Sequence, residues 1–163
     1  MQSVRTEDLP YIGIEEFMKI DQMRVNPFAF RIGMVFSEDG SGRLTFQKFL
    51  TIISTFSRHT SSELKTIWIF ALWDFDGDDV IDFNDIMRGI GLITSAGVIS
   101  HPSKKILERP PSSEGLDEYE LRDIADKVTY ESDPKKVGLS YTDFRGLLLR
   151  MPDLVANFNI FVL

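Results

Sequence analysis

Cysteine is absent from the 163 residues, and only two histidines, His59 and His101, are present. These absences exclude disulfides, thiol catalysis, cysteine-ligated zinc or iron–sulfur sites and a three-histidine metal centre. No apolar run approaches the roughly 20 residues of a membrane-spanning helix, so direct insertion into a bilayer is not expected. The start, Met1-Gln2-Ser3-Val4-Arg5, lacks the apolar stretch of a secretory signal, and residue 2 is not the glycine that N-myristoylation needs. An excess of positive charge is missing too: 18 Lys+Arg against 25 Asp+Glu leave a net charge of −7. That balance argues against nucleic acid as a partner. A soluble, cytoplasmic protein is the expectation.

Phenylalanine, by contrast, is abundant, with 13 residues. That many rings need a large apolar interior or a groove to sit in. The hydrophobic share of 43% and charged share of 26% are those of a soluble globular chain. The length suits one ordinary domain or two small lobes.

A short pattern recurs four times: Ile12-Gly13-Ile14-Glu15-Glu16-Phe17, Leu44-Thr45-Phe46-Gln47-Lys48-Phe49, Ile81-Asp82-Phe83-Asn84-Asp85-Ile86 and Leu139-Ser140-Tyr141-Thr142-Asp143-Phe144. The first residues are about 32, 37 and 58 apart, periods that mark a repeated supersecondary unit. The excess in the last spacing falls in residues 95–116, rich in Gly, Pro and Ser and without periodicity, which read as a linker. Elsewhere the period is helical. Phe28, Ile32, Val35 and Phe36 follow Asn26-Pro27, an N-cap and first-turn proline. Further stripes are Phe46, Phe49, Leu50, Ile53 and Phe56; Leu64, Ile67, Trp68, Ala71 and Leu72; Phe83, Ile86, Met87, Ile90 and Ile93; Leu121, Ile124, Ala125 and Val128; and Tyr141, Phe144, Leu147 and Leu148. The predicted fold is all-α, a series of helix–loop–helix units with strand-like residues only just before each repeat.

One loop carries the chemistry. With Asp74 as position 1 of a 12-residue calcium loop, Asp76 is position 3, Asp78 position 5, Val80 position 7, Asp82 position 9 and Asp85 position 12. Alternate residues supply oxygen because the chain coils around the ion, and at position 7 the ligand is a backbone carbonyl. Ile81, at position 8, is apolar as pairing with a neighbouring loop requires. A frame starting at Asp76 would close on Met87, which offers no oxygen. Two features depart from the usual pattern. Position 6, where glycine takes a positive φ, is Asp79, a residue that tolerates this conformation better than most. Position 12 is Asp85, whose shorter arm lowers the coordination number expected of Glu and brings Mg²⁺ into competition with Ca²⁺. The inert alternative is a solvated acidic turn, or an N-cap cluster for helix 83–93. Carboxylates this dense repel one another unless a cation neutralises them, so one divalent ion is expected here.

The other three loops read as scaffolding. The second has Ser37, Asp39, Ser41, Thr45 and Lys48 at positions 1, 3, 5, 9 and 12. The fourth has Ser132, Pro134, Lys136, Ser140 and Asp143. The first has Arg5 at position 1 and Leu9 at position 5, with Glu16 at 12. No catalytic constellation is present, so an enzyme is not expected. His59 and His101 read as surface residues, and Lys104-Lys105 is too short for a membrane or nucleic-acid patch.

Several blocks resemble a known family. They are Arg24-Val25-Asn26-Pro27-Phe28-Ala29-Phe30-Arg31-Ile32, Val35-Phe36-Ser37, Leu44-Thr45-Phe46 through Phe56-Ser57, and Phe70-Ala71-Leu72-Trp73-Asp74-Phe75-Asp76. The last is the ending Met151-Pro152-Asp153-Leu154-Val155-Ala156-Asn157-Phe158-Asn159-Ile160-Phe161-Val162-Leu163. From about residue 14 onward, with 95–116 as an insertion, the chain is similar to the calcium- and integrin-binding protein family, relatives of the calcineurin regulatory subunit. Family members usually have a further N-terminal helical stretch, which these residues mostly lack, and a working fourth loop, which the residues read at its ligand positions are not expected to form. The resemblance implies two lobes of paired EF-hands, the first hand incomplete: residues 1–57 and 58–152, followed by a hydrophobic tail, 153–163. It also implies a hydrophobic groove that accepts an amphipathic helix of another protein, often the cytoplasmic segment of a membrane protein. Candidate lining residues are Phe49, Ile53, Phe56, Ile69, Trp73, Ile90 and Leu147, each with plain core packing as its alternative. The tail, through Leu154, Phe158, Ile160 and Phe161, is expected to cover the groove or to pack beside a bound helix, since it is too apolar to stand in water.

Three functions stay open at this point. One is a regulatory adaptor using one Ca²⁺ or Mg²⁺. Another is a calcium-independent subunit clamping a helix of a cytoskeletal, ciliary or channel assembly. The third is a regulatory subunit of a phosphatase or kinase.

Overall fold

The computed structural model describes residues 10–37, 39–94, 116–133, 135, 137–150 and 158. Within them the elements run β1 (Tyr11–Ile12), α1 (Ile14–Met18), α2 (Asp21–Arg24), α3 (Ala29–Phe36), β2 (Leu44–Thr45), α4 (Phe46–Thr55), α5 (Ser62–Trp73), α6 (Phe83–Thr94), α7 (Glu118–Ser132) and α8 (Tyr141–Arg150). The expected linker 95–116 falls outside them except for Leu116, and so do residues 1–9.

The helices begin where the local chemistry stops the preceding chain. Thr45 accepts the Lys48 N–H at 3.3 Å, and Ser61 accepts that of Leu64 at 3.4 Å. Asp117 and Glu120 cap each other's backbone at the start of α7, at 2.8 and 2.9 Å. Asn26 accepts the Phe28 N–H at 2.8 Å, but regular helix begins only at Ala29, slightly later than the Asn-Pro signal suggests.

The four repeats occupy equivalent places. β1 and β2 pair antiparallel with Ile12 opposite Leu44, and Ile81 pairs with Leu139 through reciprocal 2.9 Å hydrogen bonds. The first residue of each repeat is thus the residue that joins one loop to its neighbour. Along the helices the expected stripes mostly face inward. α4 leaves Phe46 and Leu50 of its stripe exposed, and α7 leaves Ile124 and Val128 so; α5 departs most in which face it buries. Leu64 and Ile67 of its stripe are about half exposed, while Lys65, Thr66, Ile69, Phe70, Leu72 and Trp73 are buried. α5 is apolar on nearly every side, so periodicity does not select its inner face. Thr66 is tolerated inside because its hydroxyl donates to the Glu63 carbonyl at 2.8 Å.

The phenylalanines form one chain of rings. Trp68 stacks on Phe36 at 4.1 Å, Phe36 meets Phe56, and Phe56 and Phe28 both meet Phe158, at 6.3 and 5.2 Å. Phe28 then touches Trp73, which meets Phe144. The core is therefore continuous from the first half of the chain to the second. Gly89 lets α6 approach α5 closely: a Cβ there would lie 2.1 Å from the Trp73 ring. Among the described residues, no helix is long and apolar enough to cross a membrane.

Candidate metal centre

Residues 74–85 leave α5 at Asp74 and enter α6 at Phe83. Asp74 is buried, and its carboxylate organises the first half of the loop. One oxygen accepts the N–H groups of Gly77 at 2.7 Å and Asp78 at 3.2 Å, and the other accepts that of Asp79 at 3.1 Å. This closure requires a left-handed residue, and Asp79 provides it with φ of 65°. Asp79 is the only non-glycine residue among those described with positive φ, at the position where sequence spacing anticipates it.

Asp74, Asp76 and Asp78 each offer a carboxylate oxygen, and these oxygens lie within 4.8 Å of one another. The Val80 N–H donates to Asp78 at 2.9 Å. At the far end, Asp82 accepts the N–H groups of Asn84 at 2.8 Å and Asp85 at 3.0 Å. Asp85 is 2% exposed and reaches back to accept the N–H groups of Phe75 at 2.9 Å and Asp82 at 3.2 Å. Asp82 and Asp85 therefore do cap α6, as the inert alternative supposes; the oxygens that converge within 4.8 Å are those of Asp74, Asp76 and Asp78 alone. Burial pushes the Asp85 carboxyl above its ordinary range. The two N–H groups pull it back, and Asp82 and Asp76 push it up again. A buried carboxylate held among others is the donor set a hard divalent cation satisfies.

The other loops show the same backbone logic with fewer carboxylates. In residues 37–48 the Ser37 hydroxyl accepts the Gly42 N–H at 3.2 Å, and Gly42 has φ of 75°. The fourth loop departs from the frame read in the sequence. Asp133, not Ser132, does the work of position 1: it is buried and accepts the Gly138 N–H at 2.5 Å. The loop is one residue shorter than its siblings between this acceptor and the pairing residue Leu139. Counting back from Leu139 by the usual interval misses it, although a lone aspartate before the Gly turn is a usable signal. Asp133 shares a cavity of about 420 Å³ with Asp78, Asp82, Asp126 and Thr129. At α8, Ser140 and Asp143 reproduce the reciprocal cap of Asp82 and Asp85, at 3.4 and 3.2 Å.

No protein-family model matches the chain. Curated proteins do. It is 34% identical over 143 residues to calcium and integrin-binding family member 2 of Drosophila melanogaster, covering 87% of this chain and 66% of that protein. It is 32% identical over 140 residues to family member 3 of Homo sapiens, covering 85% and 65%. Against family member 2 of Homo sapiens the identity is 31% over 157 residues, 96% of this chain and 74% of the relative. The chain belongs to the calcium and integrin-binding family. It spans about two thirds of the length of the first two relatives. Its helix–loop–helix units are EF-hands, and the fold is the all-α one expected from the repeats.

In this family member the residues expected to line a groove are divided. Phe56, Ile69 and Trp73 are buried in the core, while Phe49, Ile53, Ile90 and Leu147 are partly exposed at its edge. Phe49 stands edge-on to Phe17 at 6.4 Å. Beside them, Phe46 and Leu50 of α4 and Leu64 and Ile67 of α5 expose large apolar side chains. The helical stripes contain these residues, but their periodicity did not mark them as outward-facing. Of the tail residues, Phe158 is buried against Phe28 and Phe56. Leu154, Ile160 and Phe161 lie outside the described residues.

Proposed function

We propose that the chain is a non-catalytic regulatory adaptor that binds one Ca²⁺ or Mg²⁺ in residues 74–85 and holds an amphipathic helix of a partner protein. The observation that carries this reading is the convergence of the Asp74, Asp76 and Asp78 carboxylates within 4.8 Å. The ion would be held by these three with Asp82, Asp85 and the Val80 carbonyl. It would supply the positive charge that offsets their repulsion. The names of the relatives, which refer to calcium and to integrin, support an ion and a protein partner. The exposed apolar residues of α4 and α5 supply the kind of surface on which the apolar face of a helix docks.

Titration calorimetry with Ca²⁺ and with Mg²⁺, on the chain and on Asp74→Ala, tests the ion. Binding heat in the first that is lost in the second is expected. No heat, or equal heat in both, sinks the reading.

A constitutive helix clamp is the second reading. It is favoured by the loop's own hydrogen bonds, which satisfy Asp74 and Asp85 with backbone donors. Partner affinity in chelator and in Ca²⁺ separates the two. A shift beyond about tenfold, ~1.4 kcal/mol of coupling, marks a switch, and an unchanged affinity marks a clamp.

A further inference from the structure

We propose that Arg31 is the positioning residue that ties ion binding in residues 74–85 to the N-terminal half of the fold, an inference that rests on the metal reading of that loop.

Arg31 belongs to α3, which packs on α1, on α4 and on α5 itself, so the polar tie made by Arg31 adds to a direct helix contact. Its guanidinium crosses more than 40 residues of sequence to the C-terminal end of α5. There Nη2 donates to the carbonyl of Ala71 at 3.0 Å and to that of Asp74. Helix C-termini present carbonyls without intrahelical donors and gather partial negative charge, so a cation fits there. Asp74 is the first residue of the loop, so the fork grips the backbone from which the carboxylate cage hangs.

The same guanidinium lies 5.2 Å from the centre of the Phe75 ring, which Arg88 of α6 approaches at 6.0 Å. Phe75 in turn donates its N–H to the buried Asp85. One residue from the first half thus contacts the start of the loop directly and its last carboxylate through a single intermediary.

The contact calls for arginine. One guanidinium nitrogen bonds both carbonyls while the planar group lies near the ring; an ammonium has donors enough for the carbonyls but no flat face to lay on the ring. Arg31 Nε is buried without a protein acceptor, and the head group is seated by the two carbonyls and the ring. Asp74 and Asp85 both favour the charged guanidinium, against the burial that opposes it. An ion in the cage takes over neutralisation of those carboxylates. The fork stays in place because it bonds backbone carbonyls and not the carboxylates themselves. Ordering of the loop then firms the end of α5 and, through the fork, α3.

Hydrogen–deuterium exchange on the full chain, in chelator and in Ca²⁺, tests this with the wild type, Arg31→Lys and Arg31→Met. In the wild type, Ca²⁺ is expected to slow exchange in residues 74–85 and, by about tenfold, in α3 and α4. Both variants are expected to keep the slowing in 74–85 and to lose that in α3 and α4 to within about twofold. If Arg31→Met does not fold, judged by its helical circular dichroism, Arg31→Lys alone decides. Slowing of α3 and α4 that survives in Arg31→Lys overturns the proposal, because charge without the fork then suffices. A wild type whose loop responds but whose α3 and α4 do not overturns the coupling alone. A wild type with no response anywhere overturns the metal reading and this proposal together.

Discussion

The loops at 37–48 and 74–85 solve one backbone problem with different amounts of charge. In each, the first residue accepts the N–H of the sixth, and the sixth takes a positive φ. Ser37 does this with a neutral hydroxyl, and its sixth residue is Gly42. Asp74 does it with a carboxylate that binds three N–H groups, and its sixth residue is Asp79. Residues 37–48 show that the turn forms without an acidic cage. The turn itself therefore does not require the additional carboxylates at 74–85; Asp82 and Asp85 cap α6, and the convergence of Asp74, Asp76 and Asp78 is what the proposed cation would explain.

The widest gap between the two loops should appear on removing the first residue. Asp74→Ala leaves three N–H groups without their acceptor and is expected to cost about 2–4 kcal/mol, against about 1 kcal/mol for Ser37→Ala. Denaturant unfolding in chelator measures both, and equal losses would erase the contrast.

A pH effect of intermediate size belongs to the buried Asp85 of residues 74–85. Burial raises the folded pKa of Asp85 above its unfolded value. Its contribution to stability is therefore fully present below the ordinary carboxylate range and lost as pH rises through the folded pKa. In chelator, wild type should lose stability relative to Asp85→Asn between mildly acid and neutral pH. A difference that is flat with pH would contradict this.

The smallest expected effect is at position 6. Asp79→Gly relieves a left-handed aspartate and should stabilise the ion-free chain by up to about 1 kcal/mol. Gly42→Ala should destabilise, since its Cβ would also stand 2.9 Å from Ile14 Cβ. Destabilisation by Asp79→Gly would show that this carboxylate has a role the geometry does not reveal.

Local features were the legible ones. Ile81 could be picked out as a pairing residue because an apolar position at fixed distance from a loop is a short-range signal; Ile12, Leu44 and Leu139 share its place in the repeat. The convergence of Asp74, Asp76 and Asp78 and the positive φ of Asp79 are of the same kind. What escaped depends on distant parts of the chain. The inward face of α5 is chosen by neighbours, since the helix is apolar all round. Arg31 has no local pattern, because its partners lie on α5 and the loop beyond it. Asp133 was hidden by a one-residue change in loop length, to which a fixed template is blind.

The two antiparallel contacts bridge unequal stretches of chain. Ile12 and Leu44 enclose about 32 residues, and Ile81 and Leu139 about 58. Closing a loop costs entropy only logarithmically in its length, so the longer closure costs about 0.5 kcal/mol more than the shorter. Related proteins can therefore lengthen or trim the stretch between α6 and α7 by many residues with little thermodynamic consequence, which makes that stretch a tolerant place for variation.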